Sequence, residues 1–175
     1  MRRALAVLFF VVACVPGLAL AQSAGWKPLQ EFVFLNGSWS GTTESAGRIG
    51  GTATGWSTEA NGTVLVFRNK TIFPAVEGRP EEATSETGFV AYDGDKRRYT
   101  AAVFYSTGVW GLYDVEIGPD GSIKMNSTQL VNYSAGAKSR ITITKGAANE
   151  TVLNFEIAPQ GGNFAPFSSS KLTKK

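Results

Sequence analysis

From residue 39 onward, apolar and polar positions alternate with a period of two, in short runs closed by Gly, Asn, Asp or Pro. Successive side chains of a strand point to opposite faces, so each run reads as a strand with one face covered. Ten runs are expected: 39–45, 52–59, 63–73, 84–92, 98–106, 109–117, 122–130, 137–145, 151–158 and 164–172. Asn61 and Gly62 signal a two-residue hairpin, because both central positions of a type I′ turn need positive φ. Gly118, Pro119, Asp120 and Gly121 are turn formers throughout. The glycine-rich stretch 47–51 reads as a flexible link and 74–82 as the longest loop. Ahead of the strands, Pro28 followed by Leu29, Phe32, Val33 and Leu35 suits a brief amphipathic helix, ended by Asn36 and Gly37.

Many short strands with turn signals between them predict a sandwich or a barrel. An immunoglobulin-like sandwich favours a Cys-Trp-Cys core, which is absent. A meander of hairpins that closes on itself removes its own edges, and the short connections suit it. The expected fold is therefore all-β: an antiparallel up-and-down barrel of about ten strands with a short N-terminal capping helix.

Before that domain comes a different pattern. Met1, Arg2 and Arg3 form a basic start, residues 4–13 are apolar, Pro16 and Gly17 break the run, and Ala19-Leu20-Ala21 is a small-x-small cleavage site. This is the tripartite form of a secretory signal, so residues 1–21 are expected to be removed and 22–175 to form a single barrel domain. The apolar run is shorter than the roughly 20 residues a spanning helix needs, and no later stretch comes closer, so no transmembrane segment is expected. Val11 to Cys14 also resembles a bacterial lipobox. Cleavage there would leave an apolar mature end, so soluble export to a bacterial periplasm or the medium is preferred over a lipid anchor at Cys14.

Cleavage changes the charge. The chain has 17 Lys and Arg against 14 Asp and Glu, a net +3. Losing Arg2 and Arg3 leaves 15 against 14, a net +1. The basic groups Lys96, Arg97, Arg98 and Lys171, Lys174, Lys175 sit in a turn and a tail, so nucleic-acid binding is not expected. Cys14 is the only cysteine, so no internal disulfide can form after cleavage, which suits a periplasmic protein better than an animal secreted one. Asn36, Asn61, Asn69, Asn126, Asn132 and Asn149 begin N-x-Ser/Thr sequons. Asn-Gly turns beside Thr-rich strands generate such sequons by accident, and that reading is preferred over glycosylation.

The segment Gly37-Ser38-Trp39-Ser40-Gly41 carries a G-x-W-x-G pattern on the first strand, just after the short helix. Gly88, Tyr92, Asp93 and Tyr99 continue a G-x-x-x-Y-D-x-x-x-x-x-Y stretch, and residues 170–174 supply a closing strand. In this order the chain resembles calycin barrels (lipocalins, fatty-acid-binding proteins and nitrobindin-like haem barrels) and most closely the DUF1579-type exported domains. The resemblance implies that Trp39 plugs one end of the barrel against the helix, with a basic residue of the last strand such as Lys171 over its ring. Nitrobindin-like barrels hold haem iron through a His, and this chain has none, so haem and other cofactors are not expected.

The lack of His and of a mature Cys also removes the Ser-His-Asp triad, the Cys-His pair, a neutral-pH imidazole base and His/Cys zinc sites. Glu77, Glu81 and Glu82, like Asp93 and Asp95, lack the spacing of a calcium loop and read as turn charges. No catalytic or metal-ligating residue is assigned.

A possible cavity wall remains. The candidate inward sets are Leu65, Phe67, Asn69 and Phe73; Phe89 and Ala91; Ala101, Val103 and Tyr105, or the opposite face with Phe104; and Tyr113, Val115 and Ile117, or the opposite face with Trp110. Arg68, Arg140 and Trp56 also stand mid-strand. In fatty-acid-binding proteins a buried Arg receives a carboxylate, which suits its planar fork. If the Arg140, Thr142 and Thr144 face is luminal, the pocket is polar; otherwise it is solvent surface. The ligand-binding candidates are Trp56, Phe67, Phe89, Tyr105, Trp110, Tyr113 and Arg140.

Three functions fit this reading, in order: an exported binding protein with a small apolar or amphipathic ligand in the lumen; an envelope interaction protein with a filled barrel; and a His-independent isomerase, decarboxylase or cyclase. An enzyme would need one of Glu59, Glu86, Asp114 or Glu156 facing inward beside a Tyr or Arg. Nothing in the pattern sets the oligomeric state.

Overall fold

The computed structural model describes residues 29–175; the expected signal, its Cys14 and Pro28 lie outside them. Ten antiparallel strands form a closed barrel: β1 Gly37–Ser45, β2 Arg48–Glu59, β3 Val64–Phe73, β4 Glu82–Asp93, β5 Arg98–Tyr105, β6 Trp110–Ile117, β7 Ile123–Val131, β8 Lys138–Lys145, β9 Glu150–Ala158 and β10 Ala165–Lys174. Each strand pairs with its neighbours in sequence, and β1 closes the wall against β10. The period of two in the sequence thus becomes an inner and an outer face. Closure leaves no edge strand to template aggregation.

Two local expectations are corrected. Residues 48–51 belong to β2 rather than to a link, and the two-residue turn is Ala46 and Gly47, both at positive φ, between the paired Ser45 and Arg48. A non-glycine at positive φ gives no sequence signal, so this turn was missed. Asn61 and Gly62 instead sit in a longer loop with Ala60, all at positive φ, between the paired Glu59 and Val64.

The G-x-W-x-G pattern has a mechanical explanation. Gly37 stands at φ +117°, and a Cβ on Gly41 would lie 1.9 Å from the Lys171 carbonyl oxygen. Between them Trp39 is buried and donates its indole N–H to the Leu35 carbonyl at 2.7 Å. The glycines let β1 leave the preceding turn and press against β10, while the indole ties the wall to that turn. The cation over the Trp39 ring is Lys174, at 5.5 Å, and not Lys171. Register decides this, because Lys174 is the residue paired with Trp39 and Lys171 is exposed.

Residues Gln30–Leu35 form a 3-10 helix whose Phe32 and Leu35 are fully buried. Phe32 meets the Tyr99 ring edge-on at 5.0 Å, and the Tyr99 hydroxyl donates to Glu31 at 2.8 Å. This apolar filling continues through Leu65, Val90, Val103, Ile123, Met125 and Ile143, all fully buried. Each such side chain contributes roughly 1.5–3 kcal/mol on burial. Phe67 lies under Trp56 at 4.6 Å and over Gly88, where a Cβ would meet its ring at 2.2 Å. The outer wall carries Glu59, Arg68, Lys70, Glu116 and Lys124, all exposed to water.

Candidate functional site

Toward the other end the filling stops. A cavity of about 410 Å³ opens there, lined from every strand but β6 and from the loops at their ends. Its lining is of two kinds, divided largely by strand. One is apolar, with Ile141, Leu153, Phe155, Ile157 and Phe167; the other carries hydroxyls, with Thr43, Thr71, Thr84 and Ser170. Thr43 is hydrogen-bonded to Ser170 at 2.7 Å and to Thr52, which reaches Thr71 at 2.9 Å. Linked hydroxyls satisfy one another when the site holds only water and can rotate to serve a ligand.

The β7–β8 pairing is short, running only from Ile123 to Asn126 on β7. Beyond it Ser139 turns its backbone N–H to the Ser127 hydroxyl at 2.8 Å. A bulge between Leu112 and Tyr113 shifts the neighbouring register. The wall is therefore least tightly laddered beside the cavity, where Leu130, Ser139 and Ile141 line it.

Glu86, on the inner face of β4, pairs across the wall with Asn69 of β3 and Tyr105 of β5. It lines the cavity, so water reaches part of it, while protein encloses the rest. Burial pushes its carboxyl above the ordinary 4.5, against the opposing pull of a hydrogen bond from the Asn69 side chain. Next to it the Tyr105 and Tyr113 hydroxyls are 3.0 Å apart, and Tyr113 reaches Ser139 at 2.9 Å. Burial raises the pKa of both phenols, so they remain neutral donors and acceptors. The Asn69 carbonyl oxygen and the Trp56 indole N–H are buried without a hydrogen-bond partner.

Arg48 stands at the mouth. Its guanidinium reaches Glu82 at 3.0 Å and the carbonyls of Phe73, Pro74 and Pro80 at 3.3, 3.0 and 3.2 Å. It also lies 5.2 Å from the Phe73 ring. These contacts fasten the β3–β4 loop over the rim, and its side chain is 12% exposed. A stretch read as a glycine link gave no reason to expect an anchoring Arg there.

The ligand-binding candidates separate into three groups. Tyr105 lines the cavity. Trp56, Phe67 and Tyr113 point inward but are packed in the core. Phe89, Trp110 and Arg140 are on the outer wall, which corrects the inward reading of Phe89 and Ala91. On β4 the buried alternation is Gly88 and Val90, and Phe89 is 40% exposed. Phe89 meets Phe104 edge-on at 6.4 Å, and Phe104 stacks on Trp110 at 6.0 Å, forming an outer apolar patch with Leu112. Arg140 makes a two-pronged ion pair with Glu156 at 2.7 and 2.9 Å and lies over Phe164 at 4.3 Å. The sequence missed Glu86 as more than one of several acids, because Phe89 had set the wrong phase for β4. It did contain the deciding signal, since Glu86, Gly88 and Val90 share a face.

No family model matches the chain, and no curated protein matches it. Among solved structures, Rv2717c from M. tuberculosis is similar over 85% of this chain and 99% of its own, with a TM-score of 0.55 and 12% identity. A de novo designed fluorescence-activating β-barrel matches over 82% of this chain and 95% of its own, with a TM-score of 0.43 and 12% identity. The likeness to Rv2717c extends to the barrel fold and stops short of chemistry.

Proposed function

We propose that this chain is an exported binding protein that holds one small amphipathic molecule in the open end of a calycin-like barrel, with the 3-10 helix plugging the other end. The observation that carries the reading is the cavity of about 410 Å³ whose lining joins an apolar stretch to a stretch of hydroxyls. Its volume is in the range of small-molecule sites, and a few placed polar groups in an apolar concavity are what orients a ligand. Phe167 and Tyr133, 54% and 43% exposed, put apolar surface at the rim where a ligand enters.

The test uses a neutral apolar dye, Nile red, whose emission rises in a dry site. The wild type is expected to bind one dye per chain, and Leu153→Trp, which fills the lumen, to abolish that binding while still melting cooperatively. Equal dye binding by both proteins places the dye on the outer surface and overturns the reading.

A second reading has one observation in its favour. Of Glu59, Glu86, Asp114 and Glu156, only Glu86 lines the cavity, beside Tyr105. A carboxylate there can take the proton α to a carbonyl while a phenol donates to the oxygen that gains charge; returning the proton to another carbon isomerises the compound. Such an enzyme loses turnover in Glu86→Gln without losing substrate affinity, whereas a pure carrier shows no turnover to lose.

A further inference from the structure

The polar groups deep in the cavity have a directional bias. Among the described residues the ion pairs are Arg48–Glu82, Lys96–Asp93, Arg98–Asp114 and Arg140–Glu156; Glu86 takes part in none. The groups facing it are Asn69 from β3 and Tyr105 from β5, with Tyr113 behind Tyr105. Arg48, Arg79 and Glu82 stand at the mouth, and the Arg48 guanidinium is held by Glu82 and three carbonyls. Deep in the cavity the described residues present a carboxyl, hydroxyls and an amide whose carbonyl oxygen is unmatched, while the arginines that line it, Arg79 and Arg48 with its buried, unpartnered Nε, stand at the mouth. Aromatic rings flank the same place. Tyr105 lies 6.0 Å from Phe155, which meets Phe167 at 5.5 Å, and all three line the cavity. A carboxylate with ring faces nearby attracts an organic ammonium through both charge and ring quadrupole.

We propose that the lumen ligand is a cationic amphiphile, a primary amine with an apolar body, whose ammonium sits against Glu86 beside Tyr105 and whose body lies on Leu153, Phe155 and Ile157. The inference rests on the binding reading above and names its ligand class. The ammonium supplies Glu86 with a counter-charge, which favours the charged carboxylate that burial disfavours. An anionic head has the opposite fate, because beside Glu86 it meets a second carboxyl and, among the described residues, no cation at that depth.

The test is calorimetric titration at neutral pH with three probes of one chain length, decylamine, decanol and decanoate, each below its solubility or micelle limit. The wild type is expected to bind decylamine about tenfold more tightly than decanol, and decanoate most weakly. In Glu86→Gln the amine-to-alcohol ratio is expected to collapse to about one. Decanoate or decanol binding as tightly as the amine, or an amine preference that survives in Glu86→Gln, overturns the amine assignment and leaves lumen binding standing. Failure of all three probes to bind overturns the binding reading with it. The ranking in the wild type decides the matter even if the variant does not fold.

Discussion

The two halves of this barrel are built from the same ten strands and filled in opposite ways. Around Trp39, the inward positions of Phe32, Leu35, Leu65, Ile123, Met125 and Ile143 are large, apolar and fully buried. Around Phe73, the inward positions become Thr43, Thr71, Thr84, Ser168 and Ser170, beside Leu153, Phe155 and Ile157 of β9. Small polar residues on an inner face leave volume unfilled and bring hydrogen-bonding groups with them. The difference shows that closing a barrel and filling it are separate tasks. Backbone pairing closes both halves, while side-chain volume fills only one.

The sharpest way to break that comparison is to truncate one aromatic in each half. Phe67→Ala removes a ring clamped between Trp56 and Gly88, and its expected cost is about 3–5 kcal/mol in chemical denaturation. Phe155→Ala removes a partly buried ring from a wall already facing a cavity. Its expected cost is smaller, about 1–2 kcal/mol, but dye affinity in the lumen falls about tenfold. If the two variants lose equal stability, the interior is uniform and the contrast is wrong.

Acidity separates the halves more finely. The Glu86 pKa is raised in the folded state, so the native protein binds more protons than the unfolded chain once pH exceeds about 4.5. Stability from this group is therefore highest below that value and declines as pH rises toward its folded pKa. Glu86→Gln is expected to flatten this decline, stabilising the protein at neutral pH and making little difference in acid; urea midpoints measured across the range would show it. Glu156 on the outer wall has the opposite sign. Its pKa is lowered, first by the Arg140 hydrogen bonds, so its contribution is present above about 4.5 and disappears as pH falls. That contribution is small because the pair lies on the outer wall, partly exposed to water. Arg140→Ala should cost less than about 1 kcal/mol and leave dye binding unchanged. A loss of dye affinity in this variant would mean that the outer wall takes part in binding.

Much of the barrel was legible because hydrophobic alternation is a direct record of inside and outside. The runs at 98–106 and 137–145 became β5 and β8 almost residue for residue. The record failed where both faces carry apolar side chains. On β4 the outward Phe89 belongs to a patch with Phe104, so its hydrophobicity indicated the wrong face. The same ambiguity set Trp110 against Tyr113 on β6, and the structure places Tyr113 inside. Arg140 was readable either way, because Thr142 and Thr144 beside it suit a polar lumen as well as a wet surface. The cavity itself was not legible. A strand sequence does not state whether the Ser and Thr positions of β1, β2, β3 and β10 converge on one another, and their convergence with Phe155 and Glu86 depends on closure between distant parts of the chain.

The central claim is that the unfilled half holds a molecule. Native mass spectrometry of the protein purified from its own source tests it most directly, followed by solvent extraction of whatever is released. The expected result is a reproducible non-covalent addition of one small molecule per chain, absent from Leu153→Trp purified in the same way. A chain that arrives empty in every preparation, wild type and variant each at the mass of its own polypeptide alone, contradicts it.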